Sequence, residues 1–225
     1  RGMEIEHLIT WSFYCSLAYI VGSFPTAVVW IRIRNGIHIN EVGSGNLGAS
    51  NVARNFGTFS GILVGSVDFM KGMLPSILFT IAFPDSHLTY LPMLLLIVGH
   101  NWSVFLRFKG GRGVLTALGV ISGSFMWREM FVLCAGPGII GRGIIYKDSG
   151  VWTLVSIVTL IIMVAVSSSD IYLNLFSIGI GWILLTKRLL SNEGLISLTH
   201  KPAKTIWFRF LFDRDIREKD DWIGR

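Results

Sequence analysis

The sequence predicts an all-α integral membrane protein with seven transmembrane helices, five being the alternative count. Three observations lead there. Only 15% of the 225 residues are charged and 52% are hydrophobic, whereas an average soluble domain carries about 25% charged residues. Apolar runs long enough to cross a hydrocarbon core of about 30 Å recur along the chain. Lysine and arginine gather in a few of the connections between those runs, as they do in loops retained on the cytoplasmic side. That bias accounts for the net charge of +6, so the composition calls for no nucleic acid.

The first run, Leu8 to Ile31, is too long for a signal-peptide core and lacks a small-residue cleavage site, so no cleavable signal is expected. Gly22-Ser23-Phe24-Pro25 lies inside it. Proline removes a backbone donor and crowds the preceding turn, which predicts a kink there. The second run, Phe56 to Phe83, carries Asp68 and Lys71 at i and i+3, on one face of a helix. They read first as a mutual salt bridge within the bundle, and second as direct binding groups. The third run, Leu88 to Leu106, holds His100 and Asn101 near its inner end, where they either orient a substrate or bond a neighbouring helix.

Between Val114 and Ile145 the apolar pattern is interrupted by Trp127-Arg128-Glu129 and by Gly136-Pro137-Gly138, giving two short spans or one kinked span. Val151 to Val166 and Ile171 to Thr186 complete the set. Arg32, Arg34 and Arg54 follow the first run, Arg107, Lys109 and Arg112 follow the third, and Lys187, Arg188, Lys201, Lys204 and Arg209 follow the last; Pro84 to His87 has no Lys or Arg. The positive-inside rule then puts the N-terminus outside and the C-terminus in the cytoplasm, with an odd number of spans. Residues 1–190 read as a polytopic membrane domain and 191–225 as a cytoplasmic, partly interfacial tail. In that tail Trp207, Phe208, Phe210, Leu211 and Phe212 stand beside Lys204, Arg209 and Arg214, the pattern of a segment lying on anionic lipid. Asp213 to Arg225 reads as a loosely ordered terminus. Cys15 and Cys134 sit in apolar runs and define neither a metal nor a disulfide motif.

Two glycine-rich loops share the predicted cytoplasmic face: Gly43-Ser44-Gly45-Asn46-Leu47-Gly48-Ala49-Ser50-Asn51 and Phe108-Lys109-Gly110-Gly111-Arg112-Gly113. Glycine reaches positive φ, which lets successive N–H groups converge on an anion. A helix beginning near Ala49 would add its unsatisfied N–H groups and dipole, and Arg54 one turn further on could close over a phosphate. Either loop alone is more often a plain turn. Neither matches the nucleotide-binding spacing. Together, on one face and both cationic, they point to phosphate.

Taken in order, Gly22-Ser23-Phe24-Pro25, the stretch Gly43 to Arg54, Asp68-Phe69-Met70-Lys71-Gly72 with Pro75, Gly99-His100-Asn101-Trp102-Ser103-Val104-Phe105, and Phe108 to Gly119 resemble the bacterial acyl-phosphate-dependent glycerol-3-phosphate acyltransferases, the PlsY family. The resemblance spans roughly residues 19 to 120. It implies a seven-span, multi-pass, monomeric enzyme of the cell inner membrane with its active face cytoplasmic. The reaction implied is transfer of a fatty acyl group from acyl phosphate to the sn-1 hydroxyl of glycerol 3-phosphate, giving lysophosphatidic acid and phosphate, without metal or cofactor. Its partners would be those two substrates and membrane lipid. The family pattern carries catalytic roles onto Ser44, His100, Lys109 and Arg112. It carries phosphate contacts onto Gly43, Gly45, Asn46, Gly48, Asn51, Arg54, Gly110, Gly111 and Gly113. Arg112 stands where the family usually has lysine, which changes donor geometry while keeping charge.

The carboxyl-terminal third departs from that pattern. Where the family carries an active-site His and Asn, this chain reads Trp182-Ile183-Leu184-Leu185-Thr186-Lys187-Arg188-Leu189-Leu190. Asn174 replaces a serine, and the arginine of that element is absent. Tyr172, Asn174, Lys187 or His200 compensate, or the chain uses another acceptor or serves as a non-catalytic lipid- or partner-binding protein. No internal repeat of the transporter kind is visible.

Overall fold

The computed structural model describes residues 2–37, 39, 42–43, 45–190 and 202–215. An apolar chain has little water to satisfy its backbone, so each segment must close its own hydrogen bonds, and helix does so within one segment. The described residues are accordingly helical apart from turns and one antiparallel bridge, Ser103 to Lys109. They fall into two units: residues 1–37 with 47–125, and residues 38–46 with 126–225.

The first unit begins with α1 (Gly2–Ser23), which stops before Phe24-Pro25, and α2 (Thr26–Asn35), which resumes directly after it. The kink expected at Pro25 is therefore a full break. Proline offers no N–H to the preceding turn, and α2 starts its own ladder, with Val29 N donating to Pro25 O at 3.0 Å. α3 (Ala49–Phe56) starts where the glycine-rich loop predicts, after Gly48 in extended conformation. α4 (Thr58–Ala82) runs through Pro75 without interruption. α5 (Tyr90–Asn101) is bracketed by short 3-10 turns at His87–Thr89 and Val104–Leu106. α6 (Val114–Gly123) follows the second glycine-rich loop.

α4 packs on α6, α1 on α5, and α3 on α4. These approaches depend on small residues. A Cβ at Gly72 would lie 2.2 Å from Thr116 O, and one at Gly119 2.1 Å from Phe69 O. Small residues let backbones meet closely where lipid provides no hydrophobic drive between helices. The outward faces are apolar: Phe13, Leu17, Ile62, Leu78 and Ile81 are exposed. In water such a surface would mark an interaction site; against acyl chains it is solvated.

The second unit contains α7 (Trp127–Leu133), which continues into a π-helical run at Cys134–Ile145, then α8 (Ser149–Ser167), α9 (Ile171–Leu190) and α10 (Pro202–Phe212). Pro137, with no donor, lies inside the wider winding. The break predicted at Gly136-Pro137-Gly138 is thus a change of winding within one helical run. α8 packs on α9, and α10 packs on both.

Among the described residues, four helical segments are long and apolar enough to cross a membrane: Glu6–Asn35, Thr58–Ala82, Ser149–Ser167 and Ile171–Leu190. The third apolar run is shorter in helix than the sequence suggests. α5 has 12 residues, about 18 Å at 1.5 Å per residue, because the chain leaves helical geometry at Trp102 to form the Ser103–Lys109 bridge.

One expectation for the tail is corrected. Arg209 and Arg214, read as cations resting on lipid, are 1% and 8% exposed. Arg209 Nη1 donates to Leu189 O at 2.9 Å, its Nε pairs with Asp215, and Arg214 Nη1 donates to Asp148 Oδ2 at 2.6 Å. The last carbonyls of α9 have no intrahelical donor and require one, and Asp148, which caps α8 through Gly150 N, is buried and requires a counter-charge. Residues 213–215 are therefore held in place; residues 191–201 and 216–225 lie outside the described residues. Lys204 alone among the three cations is exposed, over the Phe208 ring.

Candidate active site

The break between α1 and α2 determines where polar groups collect in the first unit. The carbonyls of Ser23 and Phe24 lose their helical partners there and find side chains: Ser103 Oγ donates to Ser23 O at 2.6 Å and Lys71 Nζ to Phe24 O at 3.0 Å. Lys71 Nζ is also 3.0 Å from Asp68 Oδ1, so the i,i+3 salt bridge expected from sequence forms. Asp68 is 3% exposed and its Oδ1 also accepts from Thr26 Oγ1 at 2.9 Å. His100 Nδ1 stands 3.6 Å from the same oxygen. A buried carboxylate requires this kind of surrounding.

These residues line a small open cleft, bounded by the helix break, α4, His100, Ser103, Gly110 and Gly111. The second glycine-rich loop forms its lid. Ser103 N donates to Lys109 O at 3.1 Å, Phe108 N to Ser103 O at 2.9 Å, and Gly111 N to His100 O at 3.2 Å. Arg107 and Phe108 adopt φ of 52° and 61° to make the turn, a conformation that costs L residues about 1–3 kcal/mol where the surroundings impose it. Gly110 and Gly111 are not the left-handed residues the nest argument expects. They serve close approach instead: a Cβ at Gly110 would lie 2.2 Å from His100 O, and one at Gly111 2.2 Å from His100 Nε2. Gly113 is both, with φ of 76° and a Cβ position 2.2 Å from Asn101 Oδ1.

The site residues named from sequence divide as follows. His100, Gly110, Gly111 and Gly113 meet under the loop, with Lys109 exposed and Arg112 half-buried beside them. Gly48 precedes α3 and Asn51 is buried, accepting from Asn55 Nδ2 at 3.0 Å. Arg54, expected one turn into α3, stands in the last turn of that eight-residue helix and is exposed. Gly43 and Gly45 have φ of 60° and 63°, as a nest needs, and with Asn46 belong to the second unit. Ser44 lies outside the described residues.

Sequence reasoning passed over Thr26 and Ser103. The signal was present in one case: Thr26 follows Pro25 directly, where the chain re-enters helix with its side chain towards the break. No local pattern links Ser103 to Ser23, 80 residues earlier. Among the described residues, no group of three His, Cys, Asp or Glu side chains stands together as metal ligands would.

The sequence pattern of the family described as "Glycerol-3-phosphate acyltransferase" matches residues 12–200. Glycerol-3-phosphate acyltransferase 5 of Dehalococcoides mccartyi is 33% identical over 218 residues, covering 92% of this chain and 90% of that protein. Glycerol-3-phosphate acyltransferase 2 of Moorella thermoacetica is 46% identical over 111 residues, 49% of this chain and 57% of its own. Among solved structures, PlsY, an integral membrane glycerol 3-phosphate acyltransferase, is similar in its glycerol 3-phosphate form with a TM-score of 0.73 and 27% identity, over 85% of this chain and 100% of that one. Its lysophosphatidic acid form gives 0.70 and 26%, over 86% and 93%. With the family pattern extending over most of its length and a relative matched nearly end to end, the chain belongs to the glycerol-3-phosphate acyltransferase family.

Proposed function

We propose that this chain moves a fatty acyl group from acyl phosphate to the sn-1 hydroxyl of glycerol 3-phosphate, releasing lysophosphatidic acid and inorganic phosphate. It does so as a seven-span monomer of the cell inner membrane, N-terminus outside, with its active face and the tail from residue 191 in the cytoplasm. The sn-1 oxygen attacks the acyl carbonyl, the bond from that carbon to the phosphate oxygen breaks, and the hydroxyl proton passes to a substrate phosphate. Phosphate leaves readily, so the protein has mainly to hold two anions in register and stabilise developing charge. Lys109 and Arg112 take the acyl phosphate and the oxyanion; Ser44, Asn46 and Arg54, with Gly43, Gly45, Gly48 and Asn51, take phosphate; His100, Gly110, Gly111 and Gly113 shape the loop between them.

The observation that carries this reading is the second loop, folded over His100 with Lys109 exposed at its edge. An ammonium held out by a rigid turn is placed to meet an anion arriving from water or from the headgroup layer. PlsY is described with glycerol 3-phosphate and with lysophosphatidic acid, which supports the acceptor and the product.

The test is phosphate release from palmitoyl phosphate by purified protein in lipid, with and without glycerol 3-phosphate. Release that requires glycerol 3-phosphate and falls about 10²–10³-fold in Lys109→Ala is expected, the loss typical of a charge-stabilising group. A second reading, a different acceptor, is favoured by α9: Lys187 and Arg188 there are 1% and 3% exposed, and Arg188 is engaged by the carbonyls of Gly150 and Arg209. Release indifferent to glycerol 3-phosphate yet lost in Lys109→Ala would select that reading.

A further inference from the structure

We infer that Asp68, with Ser23, binds the acceptor's second hydroxyl, the one beside the reacting carbon, and so selects a vicinal diol phosphate; the inference rests on the acyl-transfer reading above. Three observations carry it. Asp68 is buried in α4, and the close contacts to its carboxylate fall on one oxygen: Oδ1 accepts from Thr26 Oγ1 at 2.9 Å and pairs with Lys71 Nζ at 3.0 Å. Oδ2 takes no hydrogen bond from a described residue and is not sealed from the cleft that Asp68 lines. Ser23 lines the same cleft, and its Oγ is buried without a hydrogen-bond partner among the described residues. A third wall is Gly110 and Gly111, on the loop that carries Lys109.

The chemistry of these walls fits a neutral group that donates. An ionised carboxylate oxygen only accepts, so an anion gains nothing from Oδ2. A cation is disfavoured, because the Lys71 ammonium already neutralises the carboxylate and repels a second positive charge. What remains is a hydroxyl. Its hydrogen bond to an ionised acceptor is roughly twice as strong as one between neutral groups. Its oxygen in turn accepts from Ser23 Oγ, a buried donor that calls for a partner. Thr26 and Lys71 hold Oδ1, which keeps Oδ2 towards the cleft, and the neutralised pair does not repel a phosphate on the neighbouring loop. Glycerol 3-phosphate supplies the match. Its phosphate belongs to the cationic loops and its sn-1 oxygen must stay at the acyl carbonyl, so the sn-2 hydroxyl is the group left to be held. Anchored through phosphate at one end and at Asp68 in the middle, the acceptor presents its sn-1 oxygen in a fixed direction.

The test compares glycerol 3-phosphate with 3-hydroxypropyl phosphate, which keeps the phosphate and the primary hydroxyl and lacks the sn-2 hydroxyl. With wild-type protein in lipid and palmitoyl phosphate as donor, kcat/KM for phosphate release is expected to be about 50-fold lower with the analogue, the discrimination that a hydrogen bond to a charged acceptor provides. In Asp68→Ala the two acceptors are expected to differ less than about fivefold, whatever the variant does to the absolute rate, because the group that tells them apart is gone. Ser23→Ala removes a hydroxyl that the fold does not use, so it serves if Asp68→Ala does not fold; it is expected to narrow the preference at least about threefold. Equal use of the two acceptors by the wild type would overturn the inference. So would a preference left intact by whichever of these variants folds, which would make Asp68 part of the helix-break clamp only. Where no phosphate is released with either acceptor, thermal unfolding decides. A wild-type midpoint raised more by glycerol 3-phosphate than by the analogue at equal concentration would leave the hydroxyl site standing and remove the acyl-transfer reading, whereas equal or absent shifts would overturn the inference itself.

Discussion

Replacing Gly111 with alanine tests the coupling between the loop and the imidazole directly. The new methyl would lie 2.2 Å from His100 Nε2, 3.0 Å from Cε1 and 3.2 Å from Cδ2. Non-bonded heavy atoms rest at about 3.5–4.0 Å, so ring and loop must part by about 1.3 Å. The ring has little room to yield: His100 is 8% exposed, with Asp68 behind it. The loop therefore lifts, and Lys109 and Arg112 move with it. Misplacement of this size costs about 10²-fold in rate when reacting groups must be held in register, and overpacking of a well-filled site costs about 1–3 kcal/mol of stability. The assay is phosphate release from palmitoyl phosphate with saturating glycerol 3-phosphate, together with thermal unfolding of the same preparations. Gly136→Ala is the control, because no atom lies within 4 Å of its Cβ position; its activity stays within twofold of wild type. A further arm isolates the steric cause. In a His100→Ala background the methyl of Gly111→Ala enters the space the ring has left, so the double variant unfolds no earlier than His100→Ala alone. Gly111→Ala turnover within threefold of wild type, or an additive loss of stability in the double variant, would refute the reasoning.

Three further outcomes follow from the geometry. Gly72→Ala and Gly119→Ala each place a methyl about 2.2 Å and 2.1 Å from a backbone oxygen across the α4–α6 contact, and lower stability by about 1–3 kcal/mol; thermal unfolding in detergent with an unchanged midpoint would show that these helices separate freely. Asp148→Asn and Arg214→Met each break an ion pair whose side chains are 6% and 8% exposed, at about 3–5 kcal/mol. The double variant recovers part of that loss, since no charge is left buried alone, and strict additivity would exclude the pairing. Lys109→Ala, whose side chain is exposed, loses turnover with its unfolding midpoint within a degree or two of wild type, and a large stability loss would mean that the lysine holds the loop together.

Local chemistry made much of this molecule legible. A disturbance of the helix was readable at Pro25, where the expected kink is a full break, Gly48 opened α3 at Ala49, and Asp68 and Lys71 at i,i+3 meet. Each of these is settled within a few residues. What could not be read was settled across long separations: Thr26 with Asp68, Ser103 with Ser23 and Arg214 with Asp148 are 42, 80 and 66 residues apart. The tail shows the consequence. Arg209 and Arg214 have the composition of an interfacial segment, and only the placement of α9's free carbonyls and of Asp148 makes them internal. Gly110 and Gly111 were recognised as special for one reason, positive φ, and are special for another, the closeness of His100.

Several of the described cations are placed by a single requirement. In apolar surroundings a backbone carbonyl without a partner is costly, so each helix end or break draws a donor to itself. Lys71 is held by Phe24 O and Asp68, Arg188 by the carbonyls of Gly150 and Arg209, and Arg209 by those of Leu189 and Leu190. A side chain committed in this way is available to a substrate only if the helix end it serves is left unsatisfied. Lys109 and Arg54 are under no such demand: both are exposed, one on the turn above the cleft and one in the last turn of α3. Exposed charge of this kind, which Arg107 shares on the same turn as Lys109, can be given to a phosphate without undoing the fold. That separation is why a residue carrying charge in the middle of a span, Lys71, belongs to the architecture of the site, while the cations that meet the substrates belong on its loops.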